Sequence, residues 1–488
     1  MTDVLSTTRT PLETVTPLVD ELAPRLTDLA DAIWAEPELR WEEHRSVAKQ
    51  VAVATELGAS VTRDVAGIPT AFTAQWGTTG PVIAFLGEYD ALASLSQAAG
   101  SVERAPDPGN DSGNGQGCGH HLLGSGSLLA AAALARHLEA EGLPGVVRYY
   151  GCPAEEGAAG KSFMVTGGAF QDVDVALTWH PGDGLGVWQA LSLAYTQLYF
   201  RFRGLPAHAG ANPQHGRSAL DAAELMNVGV NFLREHMEDS DRVHYAFTDA
   251  GGPSANVVQP TAELYYIVRS ATVASMRTLC DRVRKIAEGA ALMTETEVEV
   301  VFDGASSEVL PNPVLEEALH VTLDALGGVP FDEADQEFGR AMQVSMPDGA
   351  VAAAKKRIGV APDDDRAYYD VVAPLVDPRH REQMTGSTDV GDVSWVVPTV
   401  QVMGGTHAMG TPGHSWQMVA QGTSSPAHKG MVHVAKAIAA LGLELLSDPE
   451  LLERARAAHA ATTAVTPYDC PIPEGAVAPP LREGYTPA

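Results

Sequence analysis

Gly151-Cys152-Pro153-Ala154-Glu155-Glu156-Gly157 comes directly after the apolar run Val146-Val147-Arg148-Tyr149-Tyr150. The run reads as a buried strand, so the two adjacent acids leave the carboxyl edge of a sheet, where open α/β folds place their ligands. Neighbouring side chains diverge as they leave a strand. Two acids there can serve two tasks, one holding a metal ion and the other handling the proton of a metal-activated water.

Working outward, two more strand ends carry the same kind of residue. Val82-Ile83-Ala84-Phe85-Leu86-Gly87 is a fully apolar strand followed by Glu88-Tyr89-Asp90, and Val173 to Trp179 is a strand ended by His180-Pro181. Sequential strands of this kind converge on one edge of a sheet. Between them, Ser101 to Gly119 is a loop rich in Pro, Gly, Asn and Asp, whose glycines permit a turn that aims Cys118, His120 and His121 inward. Cys-x-His is a pair that Zn²⁺ or a related divalent ion prefers. Helices are expected from Thr10 to about Ala35, from Glu42 to Leu57 and from Ser125 to Glu141.

The 488 residues allow two or three domains. With 32 basic against 62 acidic residues the net charge is −30, which disfavours nucleic acid and anionic membrane as partners. Any anionic substrate must then be held by locally placed arginines. No apolar run is long enough for a membrane span, and the first residues lack the pattern of a signal peptide, so a cytoplasmic location is expected. Four scattered cysteines make no disulfide framework.

From about Ala194 the texture changes to a β-α-β-β-α-β order that ends near Asp303, the split βαβ arrangement inserted as its own small domain. Its first turn, Gly204 to Gly210, presents His208. The fold expected is therefore α/β: a larger catalytic domain in two parts, 1–193 and 306–488, with an inserted ferredoxin-like domain over 194–305. In the second part, Asp332 to Asp377 reads as a polar, weakly periodic insertion. Gly386 to Asp392 reads as a turn before a strand at Val397 to Met403, and Gly413-His414-Ser415-Trp416 offers another histidine, with His407 and His428 as competitors. Helices are expected at Ala435 to Leu446 and Pro449 to Ala461, followed by a Pro-rich tail that wraps the surface.

Cys118, His120, Glu156, His180 and His414 form a set large enough for two divalent ions, Zn²⁺ or Mn²⁺, with Glu155 left over beside a ligand. Two such ions lower the pKa of a water to about 7 and polarise a carbonyl oxygen. Glu155 is placed to take the water's proton and hand it to a leaving nitrogen. That is metal-assisted amide hydrolysis.

Gly117-Cys118-Gly119-His120-His121, Pro153 to Gly157, Trp179-His180-Pro181, Ala207-His208-Ala209 and Ser254-Ala255-Asn256-Val257-Val258 together resemble the metal-dependent aminoacylase/carboxypeptidase amidohydrolase family. The likeness runs nearly end to end, through Gly386 to Ser394 and Tyr468 to Pro473. It implies a di-metal site in the larger domain with Glu155 as general acid/base, and Cys118, His120, Glu156, His180 and His414 as ligands. His414 is preferred to His428 because His-Ser-Trp is similar to the family's ligand turn. His121 departs from the Asp or Asn usual after the ligand histidine, which makes it either a supporting group or an alternative ligand. The resemblance further implies a homodimer through the inserted domain. In it His208 reaches the partner protomer's site, and Asn256, Arg269 and Arg217 face the substrate.

The activity implied is cleavage of an N-acyl, aminobenzoyl or aminoacyl amino acid such as p-aminobenzoyl-glutamate, with a second type of subunit as a candidate partner. A dipeptidase or aminoacylase is the alternative within the same chemistry, and a non-catalytic dimeric binding protein is the alternative of a different class. A serine hydrolase is disfavoured, because no Gly-x-Ser-x-Gly elbow is present.

Overall fold

The computed structural model describes residues 9–478. Eleven strands form two sheets: β1 (Ser60–Arg63), β2 (Phe72–Trp76), β3 (Val82–Gly87), β4 (Val146–Gly151), β5 (Val175–Gly182), β6 (Gly186–Val187), β7 (Ala194–Arg203), β8 (Arg242–Asp249), β9 (Thr261–Ser270), β10 (Glu297–Ser306) and β11 (Thr399–Gly405). The larger sheet runs β1-β2-β4-β3-β5-β11-β6. Its centre, β4-β3-β5-β11, is parallel, and the short outer strands are antiparallel.

Strand period two divides the central residues between two cores. Ile83, Phe85, Val147, Tyr149, Val175, Leu177 and Trp179 pack on one face. There the helices Pro11–Trp34, His120–Glu141 and Ser425–Ser447 cover the sheet. Ala84, Leu86, Tyr150 and Ala176 face the other side, under the helices Gly160–Thr166 and Val390–Val396 and the tail residue Ile472. Coverage on both faces is what makes the strands read as unbroken apolar runs. Ser425–Ser447 is long and apolar enough to cross a membrane, but 72% of its apolar window is buried in this core.

The smaller sheet has the order β10-β7-β9-β8, all antiparallel. Leu198, Phe200 and Phe202 of β7 pack under the helices Ala219–Leu233 and Val273–Thr294. The alternate residues Tyr195, Gln197 and Tyr199 face the first domain instead.

Several local expectations are corrected. The third helix starts at His120, because Gly119 adopts φ 81 and the chain turns helical at once; His120 and His121 therefore sit on a helical turn and point different ways. His180 lies inside β5, which runs on to Gly182. Val390–Val396 is a helix, with Val393 buried against the sheet, where a turn was expected from the glycines and acids. The 332–377 stretch holds helices Glu333–Gln343 and Ala350–Arg357, and Met342, Ala354 and Met346 of the turn between them are buried. The last helices are longer than expected, Ser425–Ser447 and Pro449–Val465. Beyond them the tail docks through Tyr468 on Asp392 (2.7 Å) and Asp469 on Arg277 (2.5 Å).

Phe85 is fully buried at the centre of the larger sheet. Phe85→Ala is expected to cost about 3–5 kcal/mol in denaturant unfolding, and a loss below about 1 kcal/mol would mean that this sheet is not the principal core.

Candidate metal centre and substrate cleft

Adjacent parallel strands β4, β3 and β5 end side by side, so the segment leaving each strand meets the segment leaving its neighbour. Three overlapping groups result, each with its ligand atoms within 4.8 Å of one another: Cys118, His120 and His180; Cys118, Glu156 and His414; and Glu88, His120 and Glu155. Cys118 Sγ lies 3.4 Å from His180 Nε2. His414 Nε2 lies 3.2 Å from Glu156 Oε1, and His120 Nε2 lies 3.1 Å from Glu88 Oε2 and 3.8 Å from Glu155 Oε2.

The chain around these groups aims them. Asp90 Oδ1 accepts from His120 Nδ1 at 2.8 Å, and the Pro181 carbonyl accepts from His180 Nδ1 at 2.8 Å. Each histidine therefore presents an Nε2 lone pair to the centre, the arrangement that metal-ligating histidines adopt. Asp90 Oδ2 also accepts the backbone N–H of Glu156 at 2.7 Å, and Glu43 Oε1 accepts that of Ala154 at 2.8 Å. These bonds hold a strained turn, with Ala154, Gly157 and Ala159 at φ 58, 89 and 60. His414, also left-handed at φ 53, donates its backbone N–H to Gly117 beside Cys118.

The donor set suits divalent ions. His120 Nε2, Glu88 Oε2 and Glu156 Oε1 are buried and meet one another or His414 at 3.1 and 3.2 Å without a well-directed hydrogen bond, which is costly for polar atoms unless a cation meets them. Burial and Glu156 push the Cys118 thiol up, but His180 and His120 outweigh them and leave it at about 6, so a thiolate is available at neutral pH. Burial, reinforced by Glu88, holds the Glu155 carboxyl well above the usual range. The Cys118 sulfur and the Glu156 carboxylate, as acceptors, raise His414 to about 11.

The cleft beside these groups has a volume of about 280 Å³. Trp188, Tyr195, Gln197, Arg269, Met384 and Ser387 line the rest of it. Arg269 reaches in from β9, donating from Nη1 to Ser387 Oγ at 3.0 Å and lying over the Tyr195 ring, while its buried Nε has no partner. A larger groove of about 940 Å³ between Gln343 and Pro362 contains none of the metal-type groups.

Other expected site residues lie elsewhere. Arg217 is held by Glu295 at 2.8 Å, which keeps it out of the cleft of its own chain. His208 and Asn256 are exposed on the inserted domain; His208 Nδ1 accepts from the N–H groups of Gly210 and Ala211, so its Nε2–H faces outward. His121 lies outside the three groups, its Nε2 donating to the Gly422 carbonyl at 2.9 Å. His428 pairs with Asp31 at 2.8 Å.

Three buried groups at the site, Glu88, Lys161 and Asp389, are given no role by the sequence motifs. Glu88 is visible there only as an acid at a strand end. Lys161 carries no signal, yet its Nζ is buried between Glu88 (2.5 Å) and Asp389 (2.6 Å).

No family model matches the chain. Among curated proteins it is 44% identical over 474 residues to the B-type component of p-aminobenzoyl-glutamate hydrolase of Escherichia coli, covering 94% of this chain and 96% of the relative. It is 29% identical to Xaa-Arg dipeptidase of Mus musculus, covering 90% and 89%. Among solved structures it resembles a dinuclear metal-binding peptidase of the M20 family from Bacillus subtilis, with TM-score 0.52 and 20% identity, covering 88% of this chain and 99% of that one.

Burial lowers His121 and His407 to about 4 each, below the ordinary value of about 6.5. Both are neutral in the fold, so their contribution is complete above about pH 6.5 and is lost as pH falls toward 4. Unfolding followed across that window should show uptake of about one proton per histidine, and His121→Gln should remove its share; an unchanged pH slope in that variant would refute the assignment.

Proposed function

From a chain that belongs to the metal-dependent aminoacylase/carboxypeptidase amidohydrolase family, together with the p-aminobenzoyl-glutamate hydrolase of Escherichia coli, we propose an enzyme that hydrolyses the amide bond joining an acyl, aminobenzoyl or aminoacyl group to an amino acid with a free carboxylate. The observation that carries this reading is Glu155. It is a carboxyl of raised proton affinity, 3.8 Å from His120 Nε2 and directly beside a second acid turned to another metal-type group. A binding protein of the same fold has no use for that leftover carboxyl.

We assign Cys118, His120, His180, Glu156 and His414 as the groups that would hold two divalent ions, with the Cys118 thiol common to two of the groups. Zn²⁺ or Mn²⁺ suits this mixture of thiolate, imidazole and carboxylate. When bound, such ions lower the proton affinity of the attacking water and polarise the scissile carbonyl. Glu155 accepts the water's proton and passes it to the leaving nitrogen. Arg269 takes the substrate carboxylate with its unpartnered Nε–H, and Ser387 holds the guanidinium in line. Trp188 and Met384 offer an apolar wall to the acyl group.

The assembly we propose is a homodimer through the inserted domain. Leu225, Val228 and Phe232 form an exposed apolar stripe on one helix, with Phe232 66% exposed, and β8 is an edge strand of that sheet. In that dimer the outward Nε2–H of His208 would stabilise the oxyanion at the partner's site. A cytoplasmic setting suits the four unpaired cysteines.

Purified protein is expected to contain about two divalent ions per chain. It should release amino acid from p-aminobenzoyl-glutamate or from a small dipeptide panel, and chelation should abolish the release. Metal bound without turnover on any of them would point to a narrower substrate or a missing second component; no metal after Zn²⁺ or Mn²⁺ is supplied would favour the binding-protein reading. Glu155→Gln should lower kcat by roughly 10²–10⁴-fold with metal content retained. Mixing His208→Ala with Glu155→Ala protein should restore part of the activity through hybrid dimers, and no recovery despite verified subunit exchange would count against a shared site.

A further inference from the structure

The turn that carries Glu155 and Glu156 is gripped from the inserted sheet as well as from its own domain. Arg40 Nη1 donates to the carbonyl of Gly157, the residue after Glu156, and to Asp303 Oδ2 of β10 at 3.0 Å. Its Nη2 meets Tyr199 Oη at 3.5 Å, and Tyr265 donates to the same Asp303 oxygen at 3.2 Å. Asp303 is nearly fully buried and sits where the β10–β7 register shifts between Phe302 and Gly304. The next residue, Gly304, lies so close to the turn that an added Cβ would come within 2.7 Å of the Ala158 carbonyl.

Arg40 itself stands on a fixed platform. Its neighbour Leu39 bridges to Ala91, and Ala91 N–H donates to the Glu38 carbonyl at 2.8 Å. That ties the backbone beside Arg40 to the residue after Asp90, the carboxylate that orients His120 and the Glu156 backbone. A planar fork with several fixed donors can satisfy a carbonyl, a carboxylate and a phenol at once; an ammonium cannot hold that geometry.

We infer that Arg40 is a positioning residue for Glu155 and Glu156: it locks the Gly157 carbonyl to Asp303, so the strained turn keeps its orientation only while the inserted sheet is seated against it. This rests on the assignment of those glutamates as base and metal-holding group. The orientation of the inserted sheet, which also brings Arg269 to the cleft, is thereby coupled to the geometry of the reacting groups.

The test uses full-length Arg40→Ala, Arg40→Lys, Asp303→Ala and the Arg40→Ala/Asp303→Ala double variant. The readouts are thermal midpoint, Co²⁺ affinity and absorption of the Co²⁺-loaded protein, kcat and KM. The expected result is a kcat loss on the order of 10²-fold for Arg40→Ala, with an altered Co²⁺ spectrum, little change in KM and a thermal midpoint near that of the wild type. Arg40→Lys should fall between, and the double variant should be no worse than Arg40→Ala. Wild-type kcat and spectrum in Arg40→Ala, or losses that merely track the thermal midpoint, would overturn the inference. If Arg40→Ala does not fold, Arg40→Lys decides on the same readouts. Should the wild type cleave no N-acyl amino acid or dipeptide, the proposed activity fails, while the Co²⁺ spectra still decide the role of Arg40.

Discussion

Carboxyl groups, among them Glu88, Asp90, Glu155, Glu156 and Asp389, crowd the place where parallel strands β3 and β4 end, and the rest of the site is an answer to that crowding. Removing such charges from water costs several kcal/mol each unless partners meet them. Lys161, fully buried, meets Glu88 and Asp389. His414 meets Glu156, and Glu155 responds instead by holding its proton more tightly, under burial and the neighbouring Glu88 charge. Glu88 Oε2, Glu156 Oε1 and His120 Nε2 form no well-directed hydrogen bond, and all three belong to the groups that could hold a metal ion. Anions that folding cannot otherwise neutralise are what a centre for divalent cations requires.

Much of this was legible because it depends on local pattern. Apolar runs broken by acids and histidines mark strands that end at a ligand edge and pointed to Glu155, Glu156 and His180; the Cys-x-His pair pointed to Cys118 and His120, and the family resemblance to His414, and the fold brings these side chains together. The split βαβ order showed because turns and period-two runs alternate at regular spacing. What stayed hidden depends on contacts between distant segments. Lys161 and Asp389 are 228 residues apart, and Asp389 immediately precedes a helix that composition had disguised as a turn. Arg40 looks like a surface residue of a loop until β10 is laid beside it. Arg217 shows the same dependence from the other side: its charge is paired with Glu295 within the small domain, which its own sequence neighbourhood does not reveal.

The cleft belongs to both domains. Cys118, His180 and the two glutamates form its floor, and Tyr195, Gln197 and Arg269 descend from the inserted sheet. β7 alternates, giving Leu198, Phe200 and Phe202 to the small core, Tyr195 and Gln197 to the cleft and Tyr199 to the Arg40 junction. A single strand thus contributes to folding on one face and to recognition on the other.

The position of β11 has a consequence for how the chain is made. β11 pairs with β5 on one side and with β6 on the other, in the interior of the larger sheet, yet it lies beyond the whole inserted domain in the sequence. During synthesis β5 therefore leaves the ribosome with an open, apolar edge that no nearby segment can close, while the small domain has all its strands and helices in hand and can condense first. The waiting edge is the hazard of this topology, since an unpaired strand recruits other chains. A nascent chain halted before Thr399 would be a folded small domain on an unfinished sheet, and thus a natural client for chaperones.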